Sequence, residues 1–202
     1  MSSDHYFSPA PGTALKTRQI TVSLRGEDRV LTTANSVFSP AHIDTGTEVL
    51  LKYAPEPPLG GHLLDLGCGW GPIALHLALA SPEATVWAVD VNERALDLVR
   101  TNAATLGLTN IQAVIAADVP TDISFRTIWS NPPIRVGKDE LHNLLEAWIL
   151  RLEPEANAWL VVQRNLGSDS LQRWLAAELP TNFETTREAI SKGFRVLAVH
   201  RD

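Results

Sequence analysis

The chain has 202 residues, 45% of them hydrophobic and 20% charged, which predicts one globular domain and excludes a disordered chain. Its 17 basic and 23 acidic residues give a net charge of −6, which excludes a general polyanion binder working through a broad basic face. A single cysteine, Cys68, excludes an internal disulfide and points to a reducing, cytoplasmic setting. The first residues carry neither the basic nor the apolar region of a signal peptide, and no apolar run approaches the ~18 residues of a membrane helix.

Residues 1–58 are rich in proline and read as an extension. In residues 18–24, Ile20, Val22 and Leu24 alternate with polar neighbours, as in a half-buried strand. Gly26-Glu27-Asp28 supplies a turn, and residues 30–33 return as the second strand of a hairpin. A short helix over 48–53 opens at Thr45 or Thr47 and is closed off by Pro55, Pro57 and Pro58.

Residues 59–202 alternate strands and helices. Strands are predicted at 62–66, 85–89, 111–115, 127–129, 159–162 and 194–199. Helices are predicted at 72–80, 93–106, 138–152 and 171–179. The helix over 72–80 is apolar on nearly every side and starts with Pro72, whose missing N–H costs nothing there. Asn92 caps the next helix and Gly107 stops it. Such alternation predicts an α/β fold, a mostly parallel sheet covered on both faces. Its ligand crevice lies at the carboxyl ends of the strands.

Three strand ends there carry candidate cofactor groups. After the first core strand comes Asp65-Leu66-Gly67-Cys68-Gly69-Trp70-Gly71. Its glycines let the backbone approach a ligand closely. The spacing is G-x-G-x-G rather than the G-x-G-x-x-G of a dinucleotide site. Asp65 would repel a pyrophosphate and suits the ammonium of an amino-acid-bearing ligand. Asp90 ends the second strand, where a carboxylate accepts from both hydroxyls of a ribose. Asp118 follows the third, where a carboxylate accepts from an adenine amino group. Cys68 and Val91 complete the cofactor set as neighbours of these groups.

The fourth strand runs into Asn131-Pro132-Pro133-Ile134. Two prolines fix the backbone and remove two donors. The Asn131 side-chain oxygen and the Pro132 carbonyl are then placed to hold one planar amino group and aim its lone pair at an electrophile. The motif itself leaves the acceptor open among a guanine or adenine amine and a protein glutamine amide. It also leaves open a protein that binds the donor without turnover.

These segments together resemble class I S-adenosylmethionine-dependent methyltransferases acting on amino groups. More narrowly, the chain resembles the short branch of the small-subunit ribosomal RNA guanine-N2 methyltransferase family. The resemblance rests on H-Y-F-S (5–8), V-F-S (37–39), D-T-G-T (44–47), D-L-G-C-G-W-G-P-I (65–73), D-V-N-E-R-A (90–95) and N-P-P-I-R-V-G-K (131–138). It implies a Rossmann-like, seven-stranded sheet with an antiparallel last strand, preceded by the hairpin, as one domain over 1–202. It implies S-adenosylmethionine as donor and ribosomal RNA as partner, within a folded small-subunit particle that suits an acidic protein.

Gly67, Gly69 and Asp65 would then line the methionine end, Asp90 the ribose and Asp118 the adenine. Asn131 and the Pro132 carbonyl would hold the amine. The Asp44–Thr47 loop, with Thr47 among the cofactor contacts, would close over the donor. At the fourth motif position Ile134 offers no ring to stack on a base. Arg135, Lys138, Arg164 and Lys192 are candidate phosphate contacts, and His5 and Tyr6 a candidate lid. The six histidines have no metal-ligand spacing, so no metal site is expected. Cys68 reads as a packing residue, and nothing signals an oligomeric state.

Overall fold

The computed structural model describes residues 13–202, apart from the side chain of Arg135; the candidate lid residues His5 and Tyr6 lie outside them. Strands β1 (Thr17–Leu24) and β2 (Glu27–Ala34) form an antiparallel hairpin. Helix α1 (Thr45–Tyr53) follows. The core then runs β3 (Gly60–Leu66), α2 (Pro72–Ala80), β4 (Glu83–Val89), α3 (Glu93–Thr105), β5 (Ile111–Val114), β6 (Phe125–Ser130) and α4 (Lys138–Ile149). It closes with β7 (Leu152–Gln163), α5 (Ser168–Glu178), β8 (Phe183–Ser191) and β9 (Phe194–Arg201).

Seven strands form one sheet in the order β5-β4-β3-β6-β7-β9-β8. The first five in that order are parallel, and β9 runs antiparallel to both its neighbours. This is the Rossmann-like, seven-stranded sheet with an N-terminal hairpin that the resemblance implies. The strand order reverses between β3 and β6, which opens a crevice above their carboxyl ends.

Both faces of the sheet are covered. Leu145 and Ile149 of α4 and Leu171 and Leu175 of α5 pack on one face with Leu64, Ile128 and Leu160. On the other, Leu50 of α1, Leu77 of α2 and Leu96 and Val99 of α3 pack on Leu63, Val86 and Trp129. The hairpin lies outside that second layer: Val22, Leu24 and Leu31 cluster with Leu75 of α2 and Leu98 of α3. This explains why α2 is apolar all round, since one side meets the sheet and the other the hairpin. Asn102, fully buried on α3, fastens the hairpin by accepting from the Thr32 N–H (2.7 Å) and donating to the Thr32 carbonyl (2.9 Å).

Two expectations are corrected. The helix over 138–152 ends at Ile149, and Leu152 begins β7 instead, pairing with Phe125. Trp148 and Leu152 are four residues apart, a spacing a helix also produces. Strand β8 has no counterpart in the reading of the sequence. It is one edge of the sheet, and it shows mixed exposure and a register shift between Arg187 and Ala189 that breaks its alternation.

Candidate active site

The crevice holds a cavity of about 530 Å³. Its floor is the glycine turn between β3 and α2. Gly67, Gly69 and Gly71 have φ of 77°, 54° and 100°, values that disfavour any side chain. A Cβ on Gly71 would sit 3.0 Å from Val99, so that glycine also lets the turn lie on α3. A Cβ on Gly69 would meet no atom within 4 Å, and one on Gly67 only Pro133 at 3.8 Å. Both positions therefore open toward the cavity that they line.

Backbone hydrogen bonds lock the turn to the neighbouring strand. Gly67 and Cys68 N–H groups both donate to the Val89 carbonyl, at 2.8 and 3.0 Å. Asp90 continues this tie, accepting from Gly69 N–H on one oxygen and from Asn92 N–H on the other, each at 2.9 Å. A carboxylate has about four acceptor sites, so it keeps capacity toward the cavity that it lines. Burial raises the Asp90 pKa, against the backbone N–H groups of Asn92, Gly69 and Val91, which hold it down.

Asp65 is fully buried behind the turn. One of its oxygens accepts from Ala74 N–H (2.8 Å), capping α2 in place of its N-cap residue, Gly71, which has no side chain to do so. Its other oxygen has no partner among the described residues. Desolvation pushes its carboxyl well above the usual range, and the nearby Asp90 adds to this. Cys68 is buried too; burial, then Asp90 and Asp65, push its thiol up, as expected of a packing residue rather than a nucleophile.

The opposite wall comes from the segment after the hairpin. Trp70 donates its indole N–H to the Ser39 carbonyl (3.1 Å) and Asn92 its amide to the Ser36 carbonyl (2.9 Å). These bonds hold Val37, Phe38, Ser39 and Pro40 beside Asp90 and Val91.

At the end of β6, Ser130 Oγ donates to the Leu66 carbonyl (2.7 Å), binding the two strand ends together. Asn131 follows. Its Nδ2 donates to Asp44 Oδ2 (3.0 Å) and to Thr47 Oγ1 (3.1 Å) at the start of α1. Asp44 also caps α1 by accepting from Gly46 N–H (2.8 Å). A carboxylate only accepts, so this contact fixes which end of the Asn131 amide is nitrogen. Pro133 has φ −74° and ψ 77°, and the Ile134 N–H donates to the Pro132 carbonyl (2.9 Å). That is an inverse γ-turn, and it leaves the carbonyl one lone pair.

Gly67, Gly69, Asp90, Val91, Asn131, Pro132, Pro133 and Ile134 thus share one cavity. Thr47 stands behind Asn131, and Asp65 and Cys68 beneath the turn. Asp118 is exposed on a short 3-10 turn whose first residue, Ala116, lines the cavity. The sequence reading missed Trp148, Gln163 and Phe194 as lining residues. They come from α4, β7 and β9, far along the chain, and carry no motif.

Residues 28–198 match the family model described as the methyltransferase small domain. The chain belongs to this family. It is an S-adenosylmethionine-dependent methyltransferase. A Bacillus subtilis (strain 168) protein, named as uncharacterized protein YbxB, is 36% identical over 171 residues, 83% of this chain and 85% of that one. Ribosomal RNA small subunit methyltransferase C of Acinetobacter baumannii (strain AYE) is 30% identical over 155 residues, 72% of this chain and 45% of that one. The chain thus spans about half the length of such relatives. The fold is similar to the T. thermophilus 16S rRNA N2 G1207 methyltransferase, solved with AdoMet and guanosine. The TM-score is 0.79 at 22% identity, over 95% of this chain and 52% of that one.

The residues of this methyltransferase fit its donor. The two open glycines leave room against the backbone, Asp90 presents a carboxylate beside them, and Asp65 has a buried oxygen without a partner among the described residues.

Proposed function

We propose that the protein methylates the exocyclic amine of a guanine in small-subunit ribosomal RNA, in the cytoplasm, on a folded ribonucleoprotein particle. One observation carries the reading: both Nδ2 bonds of Asn131 run to α1, so its oxygen is the end left to serve the cavity. An acceptor presented there, beside the glycine turn, suits an N–H₂ group. The names of the Acinetobacter and T. thermophilus relatives support ribosomal RNA as substrate and, for the second, N2 of guanine.

In this reading Asp90 accepts from the ribose hydroxyls and Val91 packs on the adenine, with Asp118 taking its amino group. Gly67, Cys68 and Gly69 shape the methionine end through their backbone, and Asp65 supports it from below. Thr47 acts through Asn131. When bound, S-adenosylmethionine supplies an electrophilic methyl carried on a sulfonium. Asn131 Oδ1 and the free lone pair of the Pro132 carbonyl accept the two N–H bonds of the target amine. Those bonds draw the hydrogens into one plane and leave the nitrogen lone pair pointing at the donor. This is catalysis by positioning and charge stabilisation. The nitrogen's lone pair forms the bond to the methyl carbon as the sulfur–methyl bond breaks. The electron pair of that broken bond returns to sulfur to leave a neutral thioether, and the surplus proton of the amine passes to solvent.

We take residues 1–58 as an extension of a core spanning 59–202, together one methyltransferase domain. The cluster shared by the hairpin, α2 and α3 supports this. Lys138 and Arg164 are exposed and suited to phosphate, while Lys192 pairs with Glu48 at 2.9 Å.

The test is tritiated methyl transfer to small-subunit particles, bare ribosomal RNA and ribosomal proteins from a strain lacking the gene. Label recovered as N2-methylguanosine from particles is the expected result. Label in protein or as N6-methyladenosine overturns it.

A further inference from the structure

We propose that Phe194 is the surface on which the accepting base lies, a role that rests on the base-methylation reading above. A flat heteroaromatic held at Asn131 needs a flat partner to fix its plane, because two hydrogen bonds to one amine leave the ring free to tilt about them. Ile134, next to Asn131 in the motif, is aliphatic. Trp148 also lines the cavity, but it packs on the α4 side of the sheet, is only 6% exposed, and its ring is engaged by the Arg151 guanidinium (4.8 Å) and by Phe125 (6.0 Å). Phe38 lines the cavity from the segment that Asn92 and Trp70 hold through the Ser36 and Ser39 carbonyls, rather than from a strand beside Asn131 in the sheet.

Phe194 is half-buried, lines the cavity, and makes no ring-ring or cation-π contact among the described residues. Its direction follows from the sheet. It pairs with Gln163 across β7 and β9, and Val161 pairs with Val196 two residues on. Paired residues share a face, and so do residues two apart. Val161 and Val196 pack in the cluster of the α1 side, with Trp129. Two residues beyond Trp129, at the end of β6, comes Asn131. Asn131, Gln163 and Phe194 therefore face α1 from three neighbouring strands, with the Gln163–Phe194 pair two residues beyond the level of Asn131.

The ring is also held in place. Lys192 and Gly193, with φ of 47° and 80°, form a two-residue turn that starts β9 at Phe194. A Cβ on Gly46 would lie 2.9 Å from Phe194 Cε1 and 2.9 Å from Asp44 Oδ2. The ring thus rests on the backbone of the same helical turn that holds Asn131 through Asp44 and Thr47. One turn of α1 sets both the acceptor of the amine and the plane of the base.

The experiment uses the full chain as wild type, Phe194→Leu, Phe194→Met and Phe194→Tyr. Guanosine is titrated calorimetrically into each protein saturated with S-adenosylhomocysteine, and kcat/KM is measured on small-subunit particles. The Leu and Met variants keep an apolar side chain without a flat face, and either serves if the other does not fold. Loss of stacking should lower guanosine affinity and kcat/KM roughly tenfold or more. Tyr should restore both, with donor affinity equal in all folded variants. If Leu and Met match wild type in a protein that methylates RNA, the platform is wrong and the guanine reading stands. Loss of donor affinity alongside makes Phe194 a structural residue and also overturns the proposal. If guanosine binding depends on the ring while particles are not methylated, the platform stands and the ribosomal reading falls. Wild type that neither binds guanosine nor methylates RNA overturns both.

Discussion

Asn131 Nδ2 lies 3.0 Å from Asp44 Oδ2, although the two residues are 87 positions apart. The carboxylate engages the amide nitrogen, so that the asparagine oxygen is the end not bonded to α1, and it caps α1 with the same atom. One residue of the N-terminal extension thereby orients the motif that follows β6.

Under the proposed function Asp44 is a positioning residue for methyl transfer. Asp44→Ser keeps a side chain that caps a helix as well as aspartate does but is too short to reach Asn131. Steady-state kinetics should show kcat reduced roughly ten- to a hundredfold, in line with loss of a charged hydrogen bond. KM for the donor and the thermal midpoint should stay near wild type. Thr47→Val removes the second acceptor at constant shape and should cost a few-fold in kcat.

Asp90→Asn sets an amide N–H against the Gly69 or Asn92 N–H that the carboxylate now accepts. It also weakens the two acceptors offered to the ribose. Calorimetry should record donor affinity reduced by roughly tenfold or more. Because burial raises the Asp90 pKa, the wild-type affinity should begin to fall on acidification at a higher pH than an ordinary aspartate would produce. The Asn variant should lack that step.

Gly46→Ala places a Cβ against Phe194 and Asp44 at once. The thermal midpoint should drop by an amount matching roughly 1–3 kcal/mol of overpacking. Methyl transfer should fall more than donor binding, since the clash lies on the acceptor side.

His76 lies on α2 with its ring 5.7 Å from Trp129. Burial, with help from Arg25, lowers its pKa from 6.5 to about 4. Between those values the unfolded chain binds more protons than the folded one. The stability His76 confers is therefore complete above about pH 6.5 and is lost as pH falls toward 4, up to about 3 kcal/mol in all. Urea midpoints at pH 7 and 4.5 should differ less in His76→Leu than in wild type.

The motifs on single turns were legible in the sequence because each is local. The glycine turn needs positive φ within three alternate residues, Asp90 closes an apolar strand, and two prolines follow Asn131. Groups that meet only through the tertiary fold were not. Asp44 and Asn131 belong to different layers, and the Gln163–Phe194 pair depends on the register of an antiparallel strand. The resemblance implies Thr47 as a cofactor contact, but its hydrogen bond to the Asn131 amide, across 84 positions, shows only in the fold. Strand β8 stayed hidden because an edge strand with a register shift and residues such as Glu184, Arg187 and Glu188 carries little apolar alternation.

The most direct measurement is a crystal structure of the protein with S-adenosylmethionine bound. The account predicts its ribose on Asp90, its methionine portion over Gly67 and Gly69, and its methyl facing Asn131 Oδ1 with Nδ2 still on Asp44. A donor bound outside this cavity, or an Asn131 amide presenting its nitrogen to the methyl, would contradict it.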